Sequence, residues 1–455
     1  MVAEKWKSKP PTLPGLQLLR RRFGNMPEFF RETSREHGPI VRFRGPFRSY
    51  YFIDDPAFIE ELFVQRGADF MKGRGAERLT RLLGRGLLTA RQPEHLIHRR
   101  MVQPAFHRAR IDGWAHAMVS SARARAASWQ PGATVEIDRE MNRLALEIVA
   151  KALFGTDLSG DVETIAATLD EIVDAFPNAL MPFSEVFDHL PLPTTLRFKA
   201  AKRRLDAIVY RMLRERRESG RDSGDLLSML LAARNEENGA AMSDEQIRDE
   251  AMTILLAGHE TTANAMAWAF YLLGRHPECA ARFYENVDEV LGARDATVED
   301  LPQLEYVRAV FSEAMRLYPP AWITARRALV DTKIGTFAIA RGDIVIASQY
   351  VTHRNARFFE SPDAFVPERF IGRTYPKFAY FPFGGGNRLC IGERFASMEG
   401  VLVMATLAQR VRFEPLDDRA IETEPLVTLR PKDAIRARAV RRESPREVDA
   451  IGVSP

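Results

Sequence analysis

Apolar residues recur along most of this chain at i, i+3 and i+4, the pattern of helices that turn one face to a core. The spacing predicts helices over Met141 to Phe154, Val162 to Phe176, Leu196 to Leu213 and Leu304 to Leu317, inside a stretch from about Asp55 to Tyr318 that reads as overwhelmingly helical. Strict alternation breaks in near the N-terminus. There Ile40 to Arg44 and Tyr50 to Ile53 flank a Gly45-Pro46 turn and predict a hairpin. Short strands are expected again around Ala338 to Ala347 and Leu426 to Arg438. The fold class is therefore mainly α with small β-sheets (α+β). No Gly/Ser- or Pro-rich linker divides the chain, so one large domain over 1–455 is expected, with no internal repeats. It comprises a β-rich lobe at about 38–70 plus 325–380, a helical lobe at about 90–318 and 390–412, and a weakly ordered tail at 441–455.

The longest helix is expected to begin at Ser243, where Ser243-Asp244-Glu245-Gln246 fits a capping box, and to end at Gly274 before Pro277. At 1.5 Å per residue it spans roughly 45 Å. Its centre reads Ala257-Gly258-His259-Glu260-Thr261-Thr262. A mid-helix glycine costs about 1 kcal/mol relative to alanine, so another requirement must justify Gly258. The Thr261 hydroxyl can bond back to the carbonyl of Ala257, bending the ladder and opening a groove. His259, two residues from Thr261, falls on nearly the opposite face and reads as a packing or hydrogen-bonding residue.

Chemistry concentrates at Phe383-Gly384-Gly385-Gly386-Asn387-Arg388-Leu389-Cys390-Ile391-Gly392, a glycine-rich loop running into an apolar helix expected to begin near Cys390. Glycines let main-chain amides approach a sulfur, and the helix N-terminus favours an anion, so a buried cysteine of low pKa is expected. Cys279 is the only other cysteine, far away in a helical segment, so four thiolates cannot be gathered for zinc or iron–sulfur binding. One thiolate on one metal remains, and haem is the best candidate.

With Phe383, Gly386, Arg388, Cys390 and Gly392 at every fixed position of F-x-x-G-x-R-x-C-x-G, the loop resembles that of the cytochrome P450 haem-thiolate monooxygenases. Ala257-Gly258-His259-Glu260-Thr261 is similar to the family's A-G-x-[DE]-T segment over the distal haem face. The resemblance implies haem b (iron protoporphyrin IX) held by the Cys390 thiolate, with Glu260 as the acid and Thr261 as the alcohol that deliver protons while dioxygen is activated. Glu313-Ala314-Met315-Arg316, followed by Pro367-Glu368-Arg369, resembles the family's structural triad, giving Glu313, Arg316 and Arg369. His95 and Arg99 match a [WH]-x-x-x-R pattern, and with Arg388 and Arg326 they are the implied partners of the haem propionates. Arg327 is the rival of Arg326.

By position in such a fold the substrate pocket is expected from a Phe70 to Leu88 loop, the Pro177 to Pro193 connection, Ile254, Ala257, Ala321, Trp322 and Ile323, and a strand turn near Lys432-Asp433-Ala434. Phe176, Phe183, Phe187 and Leu190 fit either pocket or core. These residues are mostly apolar or small, which implies a hydrophobic substrate such as a fatty acid, terpenoid, steroid or polyketide-like molecule.

Charge and composition narrow the partners. A net charge of +4 is too mild for nucleic-acid binding despite a pI near 9.0. Two cysteines fit a reducing, cytoplasmic setting, and the first forty residues contain no bilayer-length apolar run, so a soluble monomer without membrane anchor is expected. The motifs leave no room for a flavin or ferredoxin domain, so electrons must come from a separate ferredoxin or flavodoxin system. Arg99, Arg100, Arg108, Arg110 and Arg394 either dock that acidic partner or form a merely solvated face. Alternatives to the monooxygenase are a peroxide-driven peroxygenase and a non-catalytic haem-thiolate sensor. The intact Glu260-Thr261 pair argues against both.

Overall fold

A computed structural model describes residues 10–21, 25–155, 164–169, 171–172, 190 and 192–442. Each strongly periodic segment within them is helical: Ile137–Phe154, Pro193–Ser219, Asp244–Arg275, Glu305–Leu317 and Glu393–Ala408. The second starts earlier and runs further than its apolar stripe predicts. Pro193 is tolerated in a first turn, and the Arg-rich end carries the helix outward to Ser219. Residues 164–169 and 171–172 are helical within the segment expected at 162–176, whose other residues lie outside the described set. So do most of the Pro177 to Pro193 connection, including Phe183 and Phe187, and residues 443–455 of the tail.

The hairpin forms as expected, Ile40–Arg44 pairing antiparallel with Ser49–Ile53. It is the middle of a six-stranded sheet that also recruits Thr12–Pro14 on one side and, on the other, Ile344–Ala347, Thr324–Ala328 and Phe70–Lys72 in that order. The stretch expected as a Phe70 to Leu88 loop is thus a short strand followed by the helix Arg74–Leu83, whose Leu82 and Leu83 are buried. Neither expected late strand is continuous. Phe337–Ile339 pairs with Thr332–Ile334 and is separate from Ile344–Ala347. Leu426 to Arg438 divides because Pro431 lacks an N–H: Leu429–Pro431 pairs with Thr423–Pro425, while Arg436–Arg441 pairs with Val411–Pro415 and Thr134–Glu136.

The long helix is buried on almost every face, from Ile247 to Leu273, and one main core cluster gathers around it from the helices at 137–154, 305–317 and 393–408. Ser243 caps it, accepting from the Gln246 amide at 3.1 Å. Gly258 has a packing cause. A Cβ there would lie 2.9 Å from Cγ2 of Val149, so the glycine lets the 137–154 helix lie against the long helix. Among the described residues, no helix is long and apolar enough to cross a membrane.

Candidate active site

Along the otherwise buried long helix, Ile254, Ala257, Gly258 and Thr261 keep accessible surface. Their spacing of three, one and three makes a single stripe. Thr261 donates its hydroxyl to the Ala257 carbonyl at 2.7 Å, and Thr262 bonds back to Gly258 at 3.3 Å, so the ladder carries side-chain bonds where a bend is expected. His259 is buried, with Nδ1 3.2 Å from the Leu255 carbonyl, and burial holds its pKa at about 4. It is a neutral packing residue. Glu260 is buried too, and its carboxylate accepts from the Thr428 hydroxyl at 2.6 Å.

The cysteine loop closes on itself. Gly384 N donates to Phe381 O at 2.9 Å, and Cys390 N donates to Phe383 O at 3.0 Å across the loop. Gly386 is required twice, by its φ of +65° and because a Cβ would overlap the Phe63 carbonyl. The helix begins at Glu393, not at Cys390, so the sulfur precedes its first turn. The expected low pKa is also corrected. Although Cys390 keeps free surface, the surrounding protein desolvates it and Glu393 repels its anion, which outweighs the Gly392 amide, Arg99 and Lys72 and pushes the thiol up. A metal cation bound at the sulfur would favour the thiolate.

Behind the loop, Glu313 and Arg316 are fully buried and doubly bonded at 2.6 and 2.7 Å, with Arg369 Nε at 3.3 Å from the same carboxylate. Arg316 also donates to the carbonyls of His353, Pro362 and Ala364. The His353 ring, held neutral by burial and by Arg316, accepts from Phe381 N at 2.9 Å and so ties this triad to the loop. Sequence gave no signal for His353.

Positive charge collects beside the cysteine. The register of the sheet sets Lys72 directly opposite Arg326, a like-charge pair that is unfavourable by itself. Burial, and then repulsion by Arg326 and by Arg388, push the Lys72 pKa well down, and Cys390 opposes this. Arg326 and Arg388 are each lowered to about 10, by burial and by a neighbouring arginine. His95, buried beside Arg388, Lys72 and Arg99, is lowered to about 3 and stays neutral. Arg388 donates Nη2 to Ala90 O at 2.8 Å, while its buried Nη1 has no protein partner. Among the described residues, no carboxylate acts on Lys72, Arg326 or Arg388. A cofactor bearing carboxylates and a thiolate-seeking metal would satisfy both the cations and the sulfur. Lys72 is absent from the sequence expectations. Arg327 is committed elsewhere, to Glu77 at 2.7 Å, and Arg99 donates to the Leu389 carbonyl at 2.7 Å, bracing the loop.

The pocket expectations divide. Ala321 and Ile323 keep surface, whereas Trp322 between them faces the core and donates Nε1 to Leu426 O at 3.2 Å. The turn at 426–428 reaches the middle of the long helix, at Glu260 and Asn264, whereas 433–434 lie near its C-terminal end. Lys432 pairs with Glu422 at the surface, and Asp433 and Ala434 face a small cleft beside Phe270 and Phe413. The helix at 393–408 adds Glu399, fully buried against Thr262, and burial pushes its carboxyl well above the ordinary pKa.

The family model described as Cytochrome P450 matches residues 8–436. Cyclooctat-9-en-7-ol 5-monooxygenase of Streptomyces melanosporofaciens is 37% identical over 84% of this chain and 83% of its own length. Cyclooctatin synthase of the same organism is 38% identical over 86% and 87%. Pentalenene oxygenase of Streptomyces avermitilis is 31% identical over 94% of both.

Proposed function

This chain belongs to the cytochrome P450 family and is a haem b monooxygenase, and from that premise we propose that it hydroxylates a cyclic terpenoid, with Cys390 as the thiolate ligand and Glu260 and Thr261 as the proton-delivering pair. Haem, when bound, supplies the one-electron and dioxygen chemistry. The observation that carries the assignment of its seat is the uncompensated positive cluster. Lys72, Arg326 and Arg388 would hold the propionates as ion pairs, and neutral His95 would donate a hydrogen bond. The commitment of Arg327 to Glu77 supports Arg326 over its neighbour.

Thr261 spends its proton on the Ala257 carbonyl, which leaves its oxygen lone pairs to accept from a water on the accessible stripe. Glu260 supplies the acid, and the intact pair sets a monooxygenase above a peroxygenase or a sensor. Electrons come from a redox partner. We assign an acidic ferredoxin or flavodoxin to the open groove beneath the cysteine loop, where Arg108, Arg308, Lys377 and Arg394 outnumber Asp112 and Glu393. Two unpaired cysteines support a cytoplasmic setting.

The terpenoid reading rests on the small, apolar stripe of Ile254, Ala257 and Gly258 and on the substrates named for the relatives. Titrating the ferric holoprotein with pentalenene, cyclooctat-9-en-7-ol and dodecanoic acid tests it. A low-to-high-spin optical shift is expected with at least one of the two terpenoids and not with the fatty acid. A response to dodecanoic acid alone would overturn it.

A further inference from the structure

The turn between Thr423–Pro425 and Leu429–Pro431 meets the middle of the long helix. There the Thr428 hydroxyl, 4% exposed, donates to Glu260 Oε1 at 2.6 Å, and Asn264 Nδ2 donates to the Thr428 oxygen at 3.0 Å. Because Asn264, itself buried, occupies a lone pair of that oxygen, the hydroxyl proton is aimed at the carboxylate. The turn itself is pinned. Trp268 Nε1 donates to Leu429 O at 3.2 Å, Leu429 N to Pro320 O at 3.0 Å, and Trp322 Nε1 to Leu426 O. If the carboxylate swings away, Thr428 cannot follow it.

We propose that Thr428 is a positioning residue for the monooxygenase reaction, a latch that holds the Glu260 carboxylate off the accessible stripe, with Asn264 setting the direction of its hydroxyl. The proposal rests on the reading of Glu260 as the proton-delivering acid. Consecutive residues leave a helix about 100° apart, so an acid bonded to Thr428 does not lie beside the Thr261 hydroxyl. To relay a proton the carboxylate takes one up from water, exchanges the Thr428 bond for one with water or Thr261, and gives the proton up there, which regenerates the carboxylate. Without the latch the carboxyl group samples the stripe at all times, and protons arrive out of step with electrons, so reducing equivalents are lost as hydrogen peroxide.

The test uses holoprotein of the wild type, Thr428→Val, Thr428→Ser and Glu260→Gln. The carboxylate infrared band of Glu260, assigned by its loss in Glu260→Gln, is measured without substrate. It is expected to move in Thr428→Val, which keeps the side-chain shape, and to return in Thr428→Ser. Product formed per electron from pentalenene, driven by a surrogate ferredoxin and its reductase, is expected to fall several-fold in Thr428→Val, with hydrogen peroxide rising and the pentalenene spin-shift Kd unchanged. Thr428→Ser restores it. A band that stays put in Thr428→Val overturns the proposal, as does full coupling in Thr428→Val beside a crippled Glu260→Gln. Unchanged coupling in Glu260→Gln overturns instead the relay reading beneath it.

Discussion

Single side chains here have charge states set by where the fold puts them. His259 shows the sign. Its folded pKa of about 4 lies below the ordinary 6.5, so the folded protein refuses a proton that the unfolded chain accepts. The contribution to stability is complete above pH 6.5 and is lost as pH falls toward 4, amounting to roughly 2 kcal/mol by pH 5. Replacing His259 by Gln is therefore expected to flatten the fall in unfolding midpoint between pH 7 and 5, measured by urea titration at each pH. An equally steep fall in the variant would assign the acid sensitivity to other groups. Cys390 carries the opposite lesson. Its motif was plain in the sequence, but its acidity was misjudged, because a loop that packs around a sulfur desolvates it more than a few amides and distant cations can repay.

At the level of helices and strands, the legible parts were those with a strong local period. The long helix, its serine cap, the Thr261 back-bond and the Glu313–Arg316 pair are all set within a few residues of sequence, and the structure has each of them. Lys72 was illegible because its meaning comes from pairing with Arg326, some 250 residues away in the chain. Thr428 and His353 escaped notice for the same reason. The break after Pro431 was missed because alternation alone does not register a proline's missing donor, and the break before Ile344 because it does not register the left-handed turn at Gly342, φ +92°. Gly258 lies between these cases, since its cost was readable and its cause, Val149, was not. Gly258→Ala gains about 1 kcal/mol of helix propensity but overpacks by about 1–3 kcal/mol, so a net loss is expected. Adding Val149→Ala to Gly258→Ala should recover much of it. A Gly258→Ala protein at least as stable as wild type in urea would show that the two helices part without strain.

Over the whole molecule, charge is divided between an interior cluster and a rim. The rim arginines are individually weak: Arg108 and Arg394 lie 3.5 and 3.7 Å from the same Asp112, exposed pairs that contribute little. Together they set a field for an acidic partner, and such a field is screened by salt. Reduction of the haem protein by a ferredoxin is expected to slow steeply between 50 and 500 mM salt, with the Arg394→Glu variant slower at the low end and converging with wild type at the high end. A rate indifferent to both would move the docking face elsewhere. The interior cluster has a different consequence, one for biosynthesis. A corner of the fold where Lys72 faces Arg326, with Arg388 beside them, sets like charges together, so with the propionates seated there as proposed, capture of porphyrin would stabilise the folded chain. Cells starved of iron or of tetrapyrrole precursor would then accumulate less of this enzyme, because the unfilled chain is the more readily cleared by proteases.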